Sequence, residues 1–263
     1  MHNFKIENLS DVQWKDLIRL SQSEIINELT LSLPWLLISW FAAFHNIYLV
    51  ALACSFMFFL TGLRQVHNAY HYALGLSRPL TEWVMLIMSI LMLGSMHAIQ
   101  LNHLRHHQYC MQEEDIEAMS AYMPWWKAIL IGPLFPICLH KKALNIGNAY
   151  QRKWIYAELA INFVWIVLVF RVLEYSWLKY HVLAMAVGQC LTAFFAVWTV
   201  HHDCQSEILM ARTIRGKLKA FTTYNMFFHV EHHLFSAVPT CKLNLLAARI
   251  DSVAPDLVFK KVL

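Results

Sequence analysis

The residues of this chain best suited to chemistry are histidines, which recur in four short stretches. Ten of the fifteen histidines lie there. The stretches are residues 67–71 (HNAYH), 103–107 (HLRHH), 201–202 (HH) and 225–233 (NMFFHVEHH). On a helix, the longer stretches place their imidazoles at i and i+3 or i+4, within an arc of about 100° on one face. Such a face could bind a metal ion.

This number of histidines favours metal binding over a solvated surface. Neutral imidazole is the commonest protein ligand for transition metals, and ten imidazoles exceed the coordination shell of one ion. Two histidines on one helix are often surface residues, but four stretches together indicate a site for two ions. The ligand type suits iron, zinc and copper alike. The candidate ligands are His67, His71, His103, His106, His107, His201, His202, His229, His232 and His233.

The adjacent pair His201-His202 and the nearby carboxylates include residues that could support the metal-binding histidines through hydrogen bonds. His201 and His202 point about 100° apart on a helix, so one is expected to bind metal and the other to support it. A metal-bound imidazole usually donates its other N–H to a carboxylate or carbonyl. Three nearby carboxylates could accept such bonds, or could be solvated acidic residues beside a basic surface. They are Asp115, Glu117 and Asp203. Glu231 faces away from the histidines beside it, so it could support only a histidine of another element.

The composition indicates an integral membrane protein. The 263 residues are 58% hydrophobic and 14% charged, with a mean hydropathy of +0.43, whereas soluble domains carry about 25% charged residues. The net charge of +4 is small for a nucleic-acid-binding protein, so no nucleic-acid partner is expected. Six cysteines show no CxxC spacing, which argues against a fused rubredoxin-type or structural zinc module.

Four membrane spans in two hairpins are predicted from the apolar stretches. Residues 29–63 are 35 residues without a formal charge. As one helix they would run about 52 Å, well beyond the ~30 Å hydrocarbon core. His45-Asn46 interrupts this stretch and can form a turn between two spans, and residues 154–172 and 180–200 form the second hairpin. The expected fold class is an all-α membrane protein with four transmembrane helices, further interfacial or re-entrant helices and a histidine-rich di-metal cap.

Two further apolar segments are predicted not to cross the bilayer. Residues 83–104 are long enough, but a crossing would place His71 and His103 on opposite faces of the membrane, where they could not share a metal site. We therefore expect this stretch to be interfacial, re-entrant or packed within the protein. Residues 121–140 are apolar but broken by proline and glycine, and they are expected at the interface.

The N-terminal region and the basic residues bear on the orientation of the chain. Residues 10–29 are predicted to form one amphipathic helix capped by Ser10, either on the membrane surface or as an ordinary leader helix. Of the 21 lysines and arginines, only Arg171 and Lys179 lie near the predicted far side. The positive-inside rule therefore places the histidine site and both termini in the cytoplasm.

The ordered histidine stretches resemble those of the integral-membrane fatty acid desaturase and hydroxylase superfamily. The resemblance rests on HxxxH at 67–71, HxxHH at 103–107 and a late HxxHH at 229–233 beyond two apolar segments, and it covers roughly residues 31–250. Members are non-haem enzymes with two iron ions that use dioxygen. The resemblance therefore implies two iron ions here.

The resemblance also bears on Asn225 and on the domain limits. In acyl desaturases of this kind, an asparagine one helical turn before a histidine can complete the metal shell, and Asn225 with His229 matches that arrangement. A helix-capping or packing amide is the alternative for Asn225. Here the pair is fused with the last HxxHH, rather than lying well before it. The expected organisation is an N-terminal surface segment over 1–30, a membrane desaturase-like domain over 31–250 and a C-terminal tail over 251–263.

The activity implied by the resemblance is desaturation of an acyl chain or acyl-derived lipid within the membrane. Dioxygen would be a co-substrate, and an external donor such as a ferredoxin, a rubredoxin or a b-type cytochrome system would supply electrons. Hydroxylation of an acyl, isoprenoid or carotenoid substrate is the alternative, since the same di-iron site supports both outcomes. A metal-binding sensor or transporter is a third class. Against it, the histidines cluster at helix ends and form no path through the spans.

Overall fold

A computed structural model describes residues 9–204 and 209–262 of the protein. Nearly all the regular secondary structure in this part of the chain is helix, as predicted. Its two strands, β1 (Arg212–Thr213) and β2 (Lys260–Lys261), form one short parallel pair. The α-helices are α1 (Gln22–Thr30), α2 (Leu33–Phe44), α3 (Tyr48–Tyr70), α4 (Arg78–Met92), α5 (Met96–Tyr109), α6 (Trp125–Leu130), α7 (Phe135–Ile146), α8 (Ala149–Leu168), α9 (Ser176–Thr192), α10 (Thr199–His201), α11 (Lys217–Thr222), α12 (His229–Leu234) and α13 (Leu243–Val253). The 3-10 helices are Leu9–Asp11, Lys15–Ile18, Glu117–Tyr122 and Thr240–Lys242, and the π-helical segments are Val169–Leu173 and Ala193–Trp198.

The four predicted membrane spans are confirmed. In the described residues, four helical stretches are long and apolar enough to cross a bilayer. They are Gln22–Phe44, Tyr48–Tyr70, Ala149–Leu173 and Ser176–His201. Each hairpin turns at a residue with left-handed backbone, Asn46 in the first and Glu174 in the second. Both are residue types with short or flexible polar side chains, for which this conformation is tolerable in a solvated turn. The protein is therefore a membrane protein.

The apolar stretch over 83–104 is bent rather than straight. It contributes to α4 and α5, whose axes meet at 111°. Leu93 adopts left-handed backbone at the bend, and the Ser95 hydroxyl accepts a hydrogen bond from the Ala98 N–H to start α5. The pair would count as a fifth, broken span only if its two helices are taken together. The bend brings His103 back to the end of α3, so the stretch does not separate the two histidine stretches, as predicted.

The proline- and glycine-containing segment 121–140 is broken into α6 and α7, in agreement with its sequence. Gly132 lies in the turn between them, against the backbone of α9. A Cβ atom built on Gly132 would lie 1.8 Å from the Cys190 carbonyl oxygen. Only glycine allows this close approach, because any side chain would collide with the backbone. The contact fixes the α6–α7 turn beside the segment of α9 that leads to His201.

The prediction of one helix over residues 10–29 is wrong. Two 3-10 turns occupy this region first, and α1 begins only after Ser21. Ser21 and Glu24 form a capping box, in which the Ser21 hydroxyl accepts from the Glu24 N–H and the Glu24 carboxylate accepts from the Ser21 N–H. This motif starts a new helix at Ser21 rather than at Ser10.

The apolar side of the N-terminal region packs against protein. Val12 and Leu17 are buried in a cluster with Leu246 and Ile250 of α13. Asp16 pairs with Arg249 at 2.6 Å on the rim of this cluster. The first and last described segments of the chain therefore lie together, beside the histidine stretches.

Candidate metal centre

The ends of four helices deliver the candidate ligands. His67 lies in the last turn of α3, and His71 is the first residue after that helix. The stretch over 103–107 lies in α5, His201 ends α10, and the last stretch forms α12. The spacing of i, i+3 and i+4 therefore acts as predicted, placing the imidazoles of each stretch on one helix face.

Five histidines form a first group of ring nitrogens. His67, His71, His103 and His232 each offer a nitrogen within 4.8 Å of the others. The Nε2 atoms of His71 and His103 are 3.0 Å apart. His107 joins this group, because its Nε2 lies 3.2 Å from that of His103 and 2.9 Å from that of His232.

Four histidines form a second group beside the first. His106, His201 and His233, together with Cys110, offer ligand atoms within 4.8 Å of one another. The Nε2 of His106 lies 3.1 Å from that of His201 and 3.3 Å from that of His233. His229 completes the group at 2.9 Å from His201 and 3.2 Å from His233. Nine of the ten predicted histidines thus converge in two adjacent groups.

The outward contacts of two rings turn their Nε2 atoms toward each other. His106 Nδ1 donates to the Asp115 carboxylate at 2.7 Å, and His201 Nδ1 donates to the Met210 carbonyl at 2.7 Å. A carbonyl can only accept, so the neutral His201 ring carries its hydrogen on Nδ1 and its lone pair on Nε2. His106 Nε2 lies 3.1 Å from His201 Nε2, on the side of the His106 ring opposite Asp115.

This arrangement fits metal ions. Imidazole nitrogens that converge at such distances are stabilised by a shared cation, either a proton or a metal ion. Imidazole nitrogens bind zinc-like divalent ions at about 2.0–2.1 Å, so two ligands at right angles around one ion are about 3 Å apart. The Nε2 separations of 2.9–3.3 Å in both groups match that value. The donor set therefore suits two transition-metal ions.

Two carboxylates hold histidines from outside the groups, as predicted. Asp115 is buried and also accepts from the N–H groups of Met111 and Ala118. Burial acts to raise the pKa of Asp115, but its hydrogen bonds hold that pKa below its usual value. Glu117 accepts from His103 Nδ1 at 2.8 Å, and burial raises the pKa of Glu117 to about 7. Asp203 lies instead 3.6 Å from Arg212 on the surface.

The structure also places the two remaining candidates, His202 and Asn225. The His202 ring stacks on Trp198 with centroids 3.9 Å apart, and its Nδ1 lies 2.8 Å from the Trp198 carbonyl. The structure therefore does not bring His202 to either group. Asn225 lies in a left-handed turn, and α12 begins only at His229. The expectation of one continuous helix face through Asn225 and His229 is wrong, because the chain turns between them.

Cys110 and Glu231 are two further side chains near the histidine stretches. Cys110 belongs to the second group, which its sequence position one helical turn after His106 could have indicated. Glu231 is buried, and its side-chain contacts in the described part of the chain are to Thr213 and Arg215. Its carboxylate accepts from Thr213 at 2.7 Å and pairs with Arg215 at 2.7 Å. Glu231 thus faces away from the histidines beside it, as expected, and its partners are Thr213 of β1 and Arg215 just after it.

A buried network fixes the end of α3 that carries His67. Glu28 of α1 pairs with Arg64 and accepts from the Asn68 amide at 2.9 Å. Asn68 in turn accepts from the Thr240 hydroxyl at 2.7 Å, and Arg64 donates to the Tyr224 carbonyl at 2.7 Å. The first and last histidine stretches are therefore held together by polar contacts as well as by packing.

An apolar cavity of about 350 Å³ ends at the histidine groups. His67, His103 and His229 line one end, and among the described residues of the wall Glu117 alone has a formally charged side chain. The rest of the wall comes chiefly from apolar residues of α3 and α9, with contributions from α5, α7 and the segment before α12. A long apolar chain could therefore lie in the cavity with part of it beside the ligands.

Fold and site together define an integral membrane protein in which histidine groups that could hold metal ions close one end of an apolar cavity. The sequence profile described as Fatty acid desaturase matches residues 39–260. That range covers most of the chain, so the protein belongs to the fatty acid desaturase family, in agreement with the resemblance of its histidine stretches. It is accordingly a membrane oxidoreductase of the desaturase and hydroxylase type. No curated protein and no solved structure matched the chain.

Proposed function

We propose that the protein is a dioxygen-dependent di-iron enzyme that desaturates an acyl chain or acyl-derived lipid. The observation that carries the proposal is that two adjacent groups, nine histidines in all, lie at the end of an apolar cavity. A chain in that cavity would have one of its carbons next to His67, His103 and His229. Binding sites for polar substrates need several convergent polar groups, and this wall has few.

Two irons are the proposed occupants of the two groups. His67, His71, His103, His107 and His232 would hold one, and His106, His201, His229 and His233 the other. When bound, the irons supply the reduction of dioxygen and the removal of hydrogen from an unactivated C–H bond. Of the adjacent pair, His201 is the proposed ligand and His202 a support of the helix end. A ligand role for Asn225 stays a prediction.

The residues of the chain have separate tasks in this proposal. Asp115 and Glu117 orient His106 and His103 by accepting their Nδ1–H hydrogens. The apolar wall excludes water from the reacting carbon and holds the chain in one position. How the chain is held beside the metals decides between loss of a second hydrogen, which gives an alkene, and return of oxygen, which gives an alcohol.

An external protein is the proposed electron donor, of the ferredoxin, rubredoxin or b-type cytochrome kind. We also propose that the metal centre faces the cytoplasm, since basic residues are concentrated on the histidine side of the sequence. Two such residues, Lys217 and Lys219, are exposed on α11 close to the last histidine stretch. Their charge is suited to an acidic partner.

Mass spectrometry of lipid extracts tests the proposal in cells that produce the protein and a matched reductase. Wild type should give a product that has lost two hydrogens, and His107→Ala should give none. His45→Ala, at the exposed turn of the first hairpin, is the control and should retain the product. A product that has gained one oxygen would establish hydroxylation instead. Absence of any new product from iron-loaded wild type would overturn an acyl substrate.

A further inference from the structure

Four cavity-lining side chains are also exposed on the outer surface of the spans. Leu52 and Phe56 of α3 are 57% and 48% exposed. Val187 of α9 is 59% exposed, and Phe195, in the π-helical segment after α9, is 37% exposed. A side chain can line a cavity and also face outward only near an opening. The opening therefore lies between α3 and the helix formed by α9 and its π-helical extension.

The surroundings of this opening are hydrocarbon. Both helices belong to candidate membrane spans, Tyr48–Tyr70 and Ser176–His201. The cavity extends along α3 from Leu52 to His67, which is about 22 Å at 1.5 Å per residue. That length is roughly two thirds of a ~30 Å hydrocarbon core. A lipid chain beside the protein would therefore meet the opening at the depth where such chains lie.

An aromatic pair covers the opening. The rings of Phe56 and Phe195 meet edge to face with centroids 5.9 Å apart. Phe195 lies in the π-helical segment Ala193–Trp198, and π-helical turns within α-helices occur frequently at functional sites. Deeper in the wall, Gly188 lets α9 approach Phe59, since a Cβ atom there would lie 2.7 Å from the Phe59 ring. The Phe59–Gly188 contact is closely packed and is the fixed section of the wall. The Phe56–Phe195 contact is the one that can separate.

We propose that the substrate chain passes sideways from the bilayer into the cavity, between α3 and α9, when the Phe56–Phe195 contact opens. The occupant is the aliphatic chain of a lipid that resides in the membrane, rather than a thioester presented from water. The inference rests on the proposed function only for the identity of the cavity as the substrate site. It concerns where the chain comes from, not what happens to it.

Photolabelling tests the route without metal or electrons. The full-length protein is placed in phosphatidylcholine vesicles that contain a phospholipid with a diazirine at the end of one chain. Adducts are then mapped on Met96 and Leu139, which line the cavity but are buried from the lipid. Phe195→Ala and Phe56→Ala should each speed this labelling about two- to tenfold, the range to which one aromatic contact converts.

The control is Phe163→Ala, because Phe163 is 69% exposed on α8 and does not line the cavity. It should label at the wild-type rate. Equal rates in all three variants would overturn the lateral route. So would adducts on Met96 and Leu139 that form only with a water-soluble acyl thioester carrying the same diazirine. If the variants label at the expected rates but the wild type makes no product, the lateral route stands and the proposed activity is wrong.

Discussion

Single residues outside the histidine groups decide which nitrogen of each ring faces the metal. Asp115 is the best placed of them, because backbone N–H groups of Met111 and Ala118 fix its carboxylate before any ion binds. The carboxylate then holds His106 with Nε2 turned toward His201 and His233. A change at Asp115 should therefore affect metal binding without removing a ligand.

Asp115→Asn is expected to lower iron affinity about 10- to 100-fold, the usual cost of losing a partner of a metal-bound histidine. The amide keeps the volume of the side chain but weakens its hold on the His106 N–H. Titration of iron into the metal-free protein measures the change. Asp203→Asn is the matched control, since Asp203 pairs with Arg212 on the surface. An unchanged affinity for Asp115→Asn would contradict the role given to this carboxylate.

Among the helices, α5 carries three of the ligands and is tied to α4 and α8 by one buried histidine. His97 lies 2.6 Å from the Glu82 carboxylate and 2.8 Å from that of Glu158. Its ring stacks on Trp154 with centroids 4.8 Å apart. Ser95 donates to the same Glu158 carboxylate at 2.5 Å. These contacts set the position of the first turn of α5, two turns before His103.

His97→Ala should destabilise the protein by about 3–5 kcal/mol, because it leaves two buried carboxylates without their shared partner. Unfolding by SDS in mixed micelles gives the free energy of unfolding, and iron content gives the effect on the site. His45→Ala serves as the control at an exposed turn. A loss below about 1 kcal/mol, the scale of an exposed ion pair, would show that the contacts add little.

Local sequence patterns predicted many features of these helices. The features that were not predicted depend on contacts between residues distant in sequence. Histidine spacing and the lengths of apolar stretches are local properties, so the ligand-bearing helix faces and the four spans could be predicted. The start of α1 depended on choosing between Ser10 and Ser21. Both are followed three residues later by a capping-box residue, Gln13 or Glu24, so local pattern did not decide between them. The turn at Asn225 and the partners of His97 depend on residues distant in sequence, such as Glu158, which no spacing rule identifies.

On the scale of the whole molecule, burial of so many neutral histidines makes the metal-free fold sensitive to acid. Burial lowers the pKa of His71 from 6.5 to about 4. Burial, reinforced by neighbouring histidines, lowers the pKa of further ligands well below 6.5, namely His103, His107, His229, His232 and His233. His106 is the exception, because its bond to Asp115 outweighs burial and raises its pKa.

The metal-free protein should therefore lose stability as the pH falls below about 6.5. In that range the unfolded chain binds more protons than the folded one. Each histidine that stays neutral in the folded protein therefore lowers the free energy of unfolding by up to about 1.4 kcal/mol per pH unit. Thermal unfolding at about pH 7.5 and about pH 5.5, on either side of the ordinary histidine pKa of about 6.5, measures the difference. Iron-loaded protein at the higher pH should be more stable than metal-free protein. Equal midpoints for metal-free protein at both pH values would contradict the burial of neutral rings.

The contact between the two ends of the chain has a consequence for biosynthesis. Asp16 and Arg249 are 233 positions apart, so their pairing waits until the ribosome has made nearly all of the protein. Each histidine group likewise includes a member from α12, His232 in the first and His233 in the second. A nascent chain can thus insert its early spans while both groups are still incomplete. Metallation becomes a late step of maturation, and truncated translation products would lack a finished site at which to bind a redox-active ion.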